Sequence, residues 1–546
     1  MPKISSLWSL VTIAGCLLVA QPAVAAETRT SPLVGVEWLS KRSDDVRLLD
    51  ASPAPMFAAG HIPGAINVDL FSYGLNEIPL AEMERRFRSW GLSAGKKIVI
   101  YDQGGSYSAT RVFWDLYYHG FAAEELAVLD GGLAKWQASG GAVTREPTPA
   151  PPPGTFRVTK RNEDVRVRLP EFLAASGDPA NQTLVEALEP NYHFGESKFF
   201  DRAGHIPNGI MLPNEDLFKP DKTFKDPAEI QRMMNYLGVR PEQQVSTYCG
   251  GGVAASVPFF ALKFILDYPK VKLYKESELE WLQDQRELPF WTYDAPYLKR
   301  DMNWLNGWGS RMMRMYGGAQ LSVVDVRSAE AFNQGHVPYA LNIPAEVFKS
   351  YLASPERLAA LLGPAGVNAA HEAVIVSDGG LTESSALAFL MLEKAGQKKV
   401  SILSDSVDEW GLRGLPLTKE PTVVGARKSP QDLVLPVSVY APRLRAGVVI
   451  ANPGASQGAY PKVFIASGKT IPAQAPIGKV VHLPYGDLLN SDGTAKPAKD
   501  IWKILVKAGV PRYAEIVLFS ERPGEAAVNY FVLKLMGYPD VKVLLL

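Results

Sequence analysis

The chain has 546 residues, of which 47% are hydrophobic and 21% charged, with Lys plus Arg equal to Asp plus Glu at 57 each. That length exceeds what one hydrophobic core can serve and, at roughly 100–150 residues per domain, points to about four. The composition excludes a disordered chain, and the absence of net charge removes any whole-molecule electrostatic case for binding nucleic acid or an anionic membrane.

The first element in the chain is N-terminal. Lys3 precedes an apolar stretch over residues 7–20, followed by Pro22 and the small-residue pattern Ala23-Val24-Ala25. Residues 1–25 therefore read as a signal peptide, and the protein is expected in the periplasm or secreted. An apolar run of about 14 residues falls short of the roughly 20 that cross a bilayer, which disfavours a membrane anchor. Ile13-Ala14-Gly15-Cys16 is similar to a lipoprotein cleavage box. Lipidation at Cys16 is thus the alternative, ranked second because the apolar run continues past it. No later stretch is long and apolar enough to span a membrane. Cleavage after Ala25 leaves Cys249 as the one cysteine, and an unpaired thiol in an exported protein is a candidate reactive group.

Downstream, one pattern recurs four times. His61-Ile62-Pro63-Gly64 precedes a strand Ile98-Val99-Ile100-Tyr101 and the loop Asp102-Gln103-Gly104-Gly105. His205-Ile206-Pro207 precedes Val245-Ser246-Thr247-Tyr248 and Cys249-Gly250-Gly251-Gly252-Val253-Ala254. Gly335-His336-Val337-Pro338 precedes Val374-Ile375-Val376-Ser377 and Asp378-Gly379-Gly380. The fourth copy is worn, with Ala475-Pro476-Ile477-Gly478 in place of the turn and Ile516-Val517-Leu518-Phe519 leading into Ser520-Glu521-Arg522-Pro523-Gly524. Helix-period runs such as 255–266 and 526–536 follow the loops, and short strands such as 271–273 and 541–543 follow the helices. Strand, loop, helix and strand in that order predict βαβ units and parallel sheets with helices on both faces, an α/β fold. A Pro-rich linker over residues 146–154 separates the first two copies. The resulting domains are 30–145, 155–292, 293–422 and a degenerate 430–546.

These motifs resemble the rhodanese family. The first copy is similar to the non-catalytic half of tandem sulfurtransferases through Tyr101-Asp102, Ser108-Ala109-Thr110-Arg111 and Leu129-Asp130-Gly131-Gly132; the second resembles the catalytic half, with Cys249 and a Glu276-Ser277-Glu278 segment like the family's Gly-Ser-Trp turn. Copies three and four look like a further tandem pair without a cysteine. The resemblance implies two tandem pairs of rhodanese-like domains and a sulfurtransferase working through a Cys249 persulfide. It implies thiosulfate or 3-mercaptopyruvate as small-molecule donor, a thiol or cyanide acceptor, and no cofactor. Glu186-Ala187-Leu188 stands where the family shows Asp-x-Arg, so the ion pair of that motif is not expected in copy two. The loop carries no basic residue, as in 3-mercaptopyruvate sulfurtransferases, but Gly251 replaces a Ser that protonates their leaving group, and the donor stays open.

The chemistry asks for such a loop. A thiolate attacking sulfur, and the persulfide it forms, are both anionic, and a glycine-rich loop after a strand can turn backbone N–H groups toward one point. Cys249 is the candidate catalytic residue; Gly250, Gly251, Gly252, Val253 and Ala254, with Arg202 and Lys198 just ahead of His205, are the candidate donor-binding residues. A buried, unreactive cysteine is the alternative for Cys249, and three consecutive glycines argue against it. His205 is expected to hold its turn, because the same His recurs in copies without a thiol. Asp102 and Asp378, at the cysteine position, are expected to satisfy loop N–H groups. A cysteine phosphatase needs an Arg closing the loop, and Ala255 and Ser256 stand there. Zinc or an iron–sulfur cluster is not expected, since one cysteine and no clustered histidines do not supply four ligands. A non-enzymatic sulfur or selenium carrier, or a scaffold binding a protein partner through domains 3 and 4, is the competing reading.

Overall fold

The computed structural model describes residues 32–74, 77–426, 434–440 and 443–546. The signal-peptide reading of residues 1–25, Cys16 included, lies outside them, as do residues 430–433 at the start of the fourth domain. Four five-stranded sheets follow one another along the chain, every strand pair parallel. In each sheet the strands lie in the order first, fifth, fourth, second, third. The fourth strand is therefore central everywhere, and the loop after it opens at the carboxyl edge, where parallel sheets bind ligands. In domain 2 the strands are Arg166–Val167, Gln182–Glu186, Gly209–Met211, Gln244–Tyr248 and Val271–Tyr274, with Cys249 immediately beyond the central one. The worn fourth copy keeps the same order through Val449–Ile450, Lys462–Ala466, Val480–His482, Glu515–Phe519 and Val541–Leu544. Among the described residues no helix is long and apolar enough to cross a membrane.

The helix expected over 255–266 is an α-helix only from Ser256 to Phe260 and continues as a π-helical turn, Ala261–Ile265, in which the Leu266 N–H reaches back five residues to the Ala261 carbonyl. The last helix begins slightly earlier than its periodicity predicts, at Pro523–Leu535, because Pro523 opens its first turn.

The domains share cores in pairs. One continuous apolar cluster holds Leu49, Phe113 and Trp114 of domain 1 together with Val185, Cys249 and Phe260 of domain 2. A second joins Ile375 and Phe389 of domain 3 to Ile465 and Phe531 of domain 4. The pairing repeats in detail. The Asp130 carboxylate of domain 1 accepts the Phe224 N–H of a domain 2 hairpin at 2.8 Å, and the Leu381 N–H after the domain 3 loop donates to the Gly493 carbonyl of the matching domain 4 hairpin at 3.1 Å.

Candidate functional site

Cys249 is 3% exposed and is the one free cysteine among the described residues. Its Sγ accepts the Gly252 N–H at 3.1 Å, so the loop curls back on the thiol as the glycine run predicts. Gly252 has φ of 75°, and a Cβ there would lie 1.8 Å from the Lys275 carbonyl oxygen, so only glycine fits. At Gly250 a Cβ would press on the Phe199 ring at 3.0 Å, whereas at Gly251 it would meet nothing within 4 Å. The loop thus has a walled side and an open side, and the open side is where a donor has room. Val253 and Ala254 are buried beneath it and carry the chain into the helix.

A second turn pins the loop from behind. The Cys249 N–H donates to Ser277 Oγ at 3.1 Å, while the N–H groups of Glu278 and Leu279 donate to the carbonyls of Cys249 and Gly250 at 3.1 and 3.0 Å. Ser277 adopts a left-handed φ of 52°, rare for a residue with a side chain, and its hydroxyl also donates to the Tyr274 carbonyl at 2.7 Å. Beside it, burial and then the Glu186 carboxylate push Glu278 well above the usual carboxyl range, with Cys249 adding to the effect. Among the described residues, Oε1 of Glu278 and Oε1 of Glu186 are buried without a hydrogen-bond partner.

Domain 1 supplies the opposite wall. Arg111, fully buried, donates to the Gly252 carbonyl at 3.2 Å and to the Gly74 carbonyl at 2.9 Å, and pairs with Asp115 at 3.3 Å. Thr110 Oγ1 and Ser256 Oγ lie 2.8 Å apart across the domain boundary. The cysteine-position aspartates behave differently from one another. Asp102 accepts the Gly104 and Ala109 N–H groups at 2.8 and 2.9 Å, as expected. Asp378 is exposed, and among the described residues no loop N–H donates to it, which corrects that expectation: its loop is ordered instead through the Gly380 N–H on the Ser404 carbonyl and the Leu381 N–H on domain 4.

Arg202 and Lys198 each donate to a backbone carbonyl. The Arg202 guanidinium donates to the Leu288 carbonyl at 2.8 Å and lies over the Phe290 ring, and the exposed Lys198 ammonium donates to the Asp201 carbonyl at 3.2 Å. The contact from this segment to the loop is made by Phe199, stacked on Tyr192 at 4.1 Å. Phe199, Ser277 as an anchor and Glu278 were not singled out from sequence; the turn that carries the last two was, through its likeness to the family's Gly-Ser-Trp segment. His205 does hold its turn, its N–H on the Trp291 carbonyl at 2.7 Å and its Nδ1 on the His193 carbonyl at 2.9 Å. Its ring also stacks on His193 at 3.7 Å, so the fold clusters two histidines that lie twelve residues apart in the chain. Burial alone would lower His193, but Asp294 and Glu186 on its two sides raise it to about 10; burial and the charge on His193 lower His205 to about 4.

Fold and site together define a tandem α/β protein in which the Cys249 thiol sits in a glycine loop walled by a second copy of the same fold. Comparison with known proteins agrees. The Rhodanese-like domain family matches at residues 35–139 and 310–412, in the cysteine-free domains 1 and 3. The 3-mercaptopyruvate sulfurtransferase of Escherichia coli is 31% identical over 273 residues, 46% of this chain and 95% of its own. Sulfur carrier protein TtuD of Thermus thermophilus is 28% identical over 270 residues, 46% of this chain and 93% of its own. The crystal structure of SseA from Escherichia coli is 27% identical, covers 45% of this chain and 99% of that one, and superposes with a TM-score of 0.41. The chain belongs to the rhodanese-like sulfurtransferase family.

Proposed function

We propose that the protein moves sulfane sulfur through Cys249, taking it from 3-mercaptopyruvate or thiosulfate and passing it to a thiol or cyanide. The observation that carries the reading is the Gly252 N–H aimed at the Cys249 sulfur in a loop that opens at Gly251. The thiolate attacks the donor's outer sulfur. With 3-mercaptopyruvate the C–S bond breaks, the carbon keeps the electron pair as an enolate and takes a proton to give pyruvate; with thiosulfate the S–S bond breaks and sulfite leaves. An acceptor thiolate or cyanide then attacks the outer sulfur of the persulfide and frees Cys249. Export is part of the proposal and rests on the pattern of residues 1–25.

Intact-mass spectrometry of the purified protein after incubation with each donor tests it. A gain of one sulfur, about 32 mass units, is expected in the wild type and absent from Cys249→Ser; no gain from either donor overturns the reading. The same spectrum reads the N-terminus: Ala26 for signal cleavage, an acylated Cys16 for the lipoprotein alternative. Since one relative is named a sulfur carrier protein, a carrier role is the second reading. Continuous release of pyruvate or thiocyanate under steady-state conditions excludes it, and one equivalent per chain favours it.

A further inference from the structure

The three well-formed copies of the fold provide an internal comparison around the turn histidine. In domain 1 His61 stacks on Phe57 at 3.7 Å and its Nδ1 bonds the Phe57 carbonyl; in domain 3 His336 stacks on Phe332 at 3.6 Å and bonds the Phe332 carbonyl in the same way. Domain 2 keeps this arrangement but replaces the phenylalanine with His193. Holding a turn does not require that replacement, since an aromatic hydrocarbon serves twice in the same chain.

What the replacement creates is a set of metal-type donors. Nε2 of His193 lies 2.8 Å from Asp294 Oδ1, Nε2 of His205 lies 3.7 Å from the same oxygen, and the ligand atoms of all three residues are within 4.8 Å of one another. Each ring is oriented through its other nitrogen. Nδ1 of His193 faces the Glu186 carboxylate and Nδ1 of His205 faces the His193 carbonyl, and both partners only accept. Each Nδ1 thereby holds a proton and the Nε2 atoms are turned toward Asp294, as in histidines that ligate metals through Nε2; an ion entering the site displaces the proton that Nε2 of His193 shares with Asp294. The comparison with the other copies is again informative. Nε2 of His336 has the Glu420 carbonyl at 3.2 Å and Nε2 of His61 has Thr148 Oγ1 at 3.4 Å, but Nε2 of His205, on a fully buried side chain, has no hydrogen-bond partner.

The place is also reachable. Asp294 lines a cavity of about 470 Å³ between domain 2, at Gly209 and Met211, and domain 4, at Trp502, Arg512 and Gly537. A Cβ at Gly537 would come within 2.1 Å of Asp294 Oδ2, so domain 4 closes over the carboxylate as tightly as glycine allows. We propose that His193, His205 and Asp294 bind a first-row divalent transition-metal ion of the zinc class at this joint, with water from the cavity in the remaining position. Zinc takes nitrogen at about 2.0–2.1 Å and carboxylate oxygen at about 2.0–2.2 Å in tetrahedral sites, which asks for ligand separations of roughly 3.3 Å. The two contacts at Asp294 bracket that value, and the two imidazoles, now parallel and stacked at 3.7 Å, complete the site by tilting so that both Nε2 atoms face one ion. The proposal is independent of the sulfur-transfer reading.

Equilibrium dialysis of the mature chain against zinc alone, with bound metal measured by atomic emission, tests it. One zinc per chain is expected in the wild type and equally in Cys249→Ser. Asp294→Asn is expected to weaken binding by at least about tenfold. His193→Phe, the residue that domains 1 and 3 use at the same place, is expected to abolish it. Circular dichroism and sulfur loading at Cys249 verify that the variants are folded, and the near-isosteric Asn variant carries the test if His193→Phe is not. The proposal is overturned by a wild type without stoichiometric zinc, by zinc that persists in both site variants, or by zinc that disappears with Cys249→Ser and so belonged to the thiol.

Discussion

Lys275 shows how much strain one residue brings to the back of the thiol loop. Its carbonyl fills the space that makes Gly252 obligatory, and its side chain is 8% exposed. Burial, reinforced by the Arg111 guanidinium, lowers its ammonium to about 8, against about 10.4 for an unfolded lysine. Between those values the unfolded chain holds a proton that the folded chain has released, so stability rises with pH across this window, and below pH 8 the fold bears the full penalty of a buried charge. Lys275→Met keeps most of the stem and removes the charge. The variant is expected to be more stable than the wild type at pH 7, with the gap closing by on the order of 2–3 kcal/mol as pH is raised to about 10.4. Urea midpoints of both proteins across that range check this, and subtracting them removes the buried tyrosines common to both; a gap that stays constant refutes it. At this scale Cys249 was legible in sequence because its evidence is local, a lone thiol followed by three glycines. The partners that define its surroundings were not. Glu278 and Glu186 reach it from a later helix and another strand, and Arg202, placed by family position, donates to the Leu288 carbonyl.

Elements were easier to read than residues, since periodicity and turn chemistry repeat four times and each copy supports the others. The fourth sheet forms although its His-Ile-Pro-Gly turn is lost, because Lys462–Ala466 and Glu515–Phe519 remain buried strands flanked by helices. The segment between His193 and His205 was not legible as structure. In domains 1 and 3 the stacked pair is four positions apart in sequence and in domain 2 it is twelve, and the extra chain brings Phe199 to the loop. The helix Ser108–Tyr118 illustrates what an element from one domain does for the site of another. Arg111 on this helix is the donor for the Gly252 carbonyl and the partner of Asp115, with both side chains buried. Arg111→Met leaves that carbonyl without its donor and the Asp115 charge unpaired, a change that costs about 3–5 kcal/mol when one partner of a buried pair is lost. Denaturant unfolding is expected to show that loss. Sulfur loading of the variant is expected to slow as well, because the loop loses its tie to domain 1. A variant of unchanged stability would mean that water replaces the guanidinium at little cost.

The assembly of the whole molecule follows from where apolar and polar contacts fall. Within each pair the two domains contribute to one continuous core, so neither can open without exposing the other's apolar surface. Between the pairs the seam mixes polar and aromatic contacts. Tyr236 Oη donates to the Arg512 and Ala514 carbonyls at 3.1 and 3.0 Å, Arg512 pairs with Asp216, and Lys503 pairs with Glu196 at 2.8 Å. Phe194 of domain 2 packs into the second core beside Trp502, and Tyr460 and Tyr513 of domain 4 pack against the first, around Tyr236. Two tandem pairs were foreseeable from the repeats, but the docking of domain 4 on domain 2 was not, because no motif marks a seam made of scattered polar and aromatic side chains. Cooperative units coincide with shared cores, and exposed polar contacts transmit little cooperativity. Calorimetry of the mature chain is therefore expected to resolve two transitions, one per pair. Loading Cys249 with sulfur is expected to move only the transition of domains 1 and 2, since a ligand stabilises the unit that binds it. Four transitions would show that the shared cores do not couple their domains, and a single one that the seam around Phe194 and Asp216 binds the pairs into one unit. The proposed ion between His193, His205 and Asp294 lies on that same seam, so added zinc is expected to draw the two transitions together, and a wild type whose transitions stay equally far apart with and without zinc would deny the metal any part in joining the pairs.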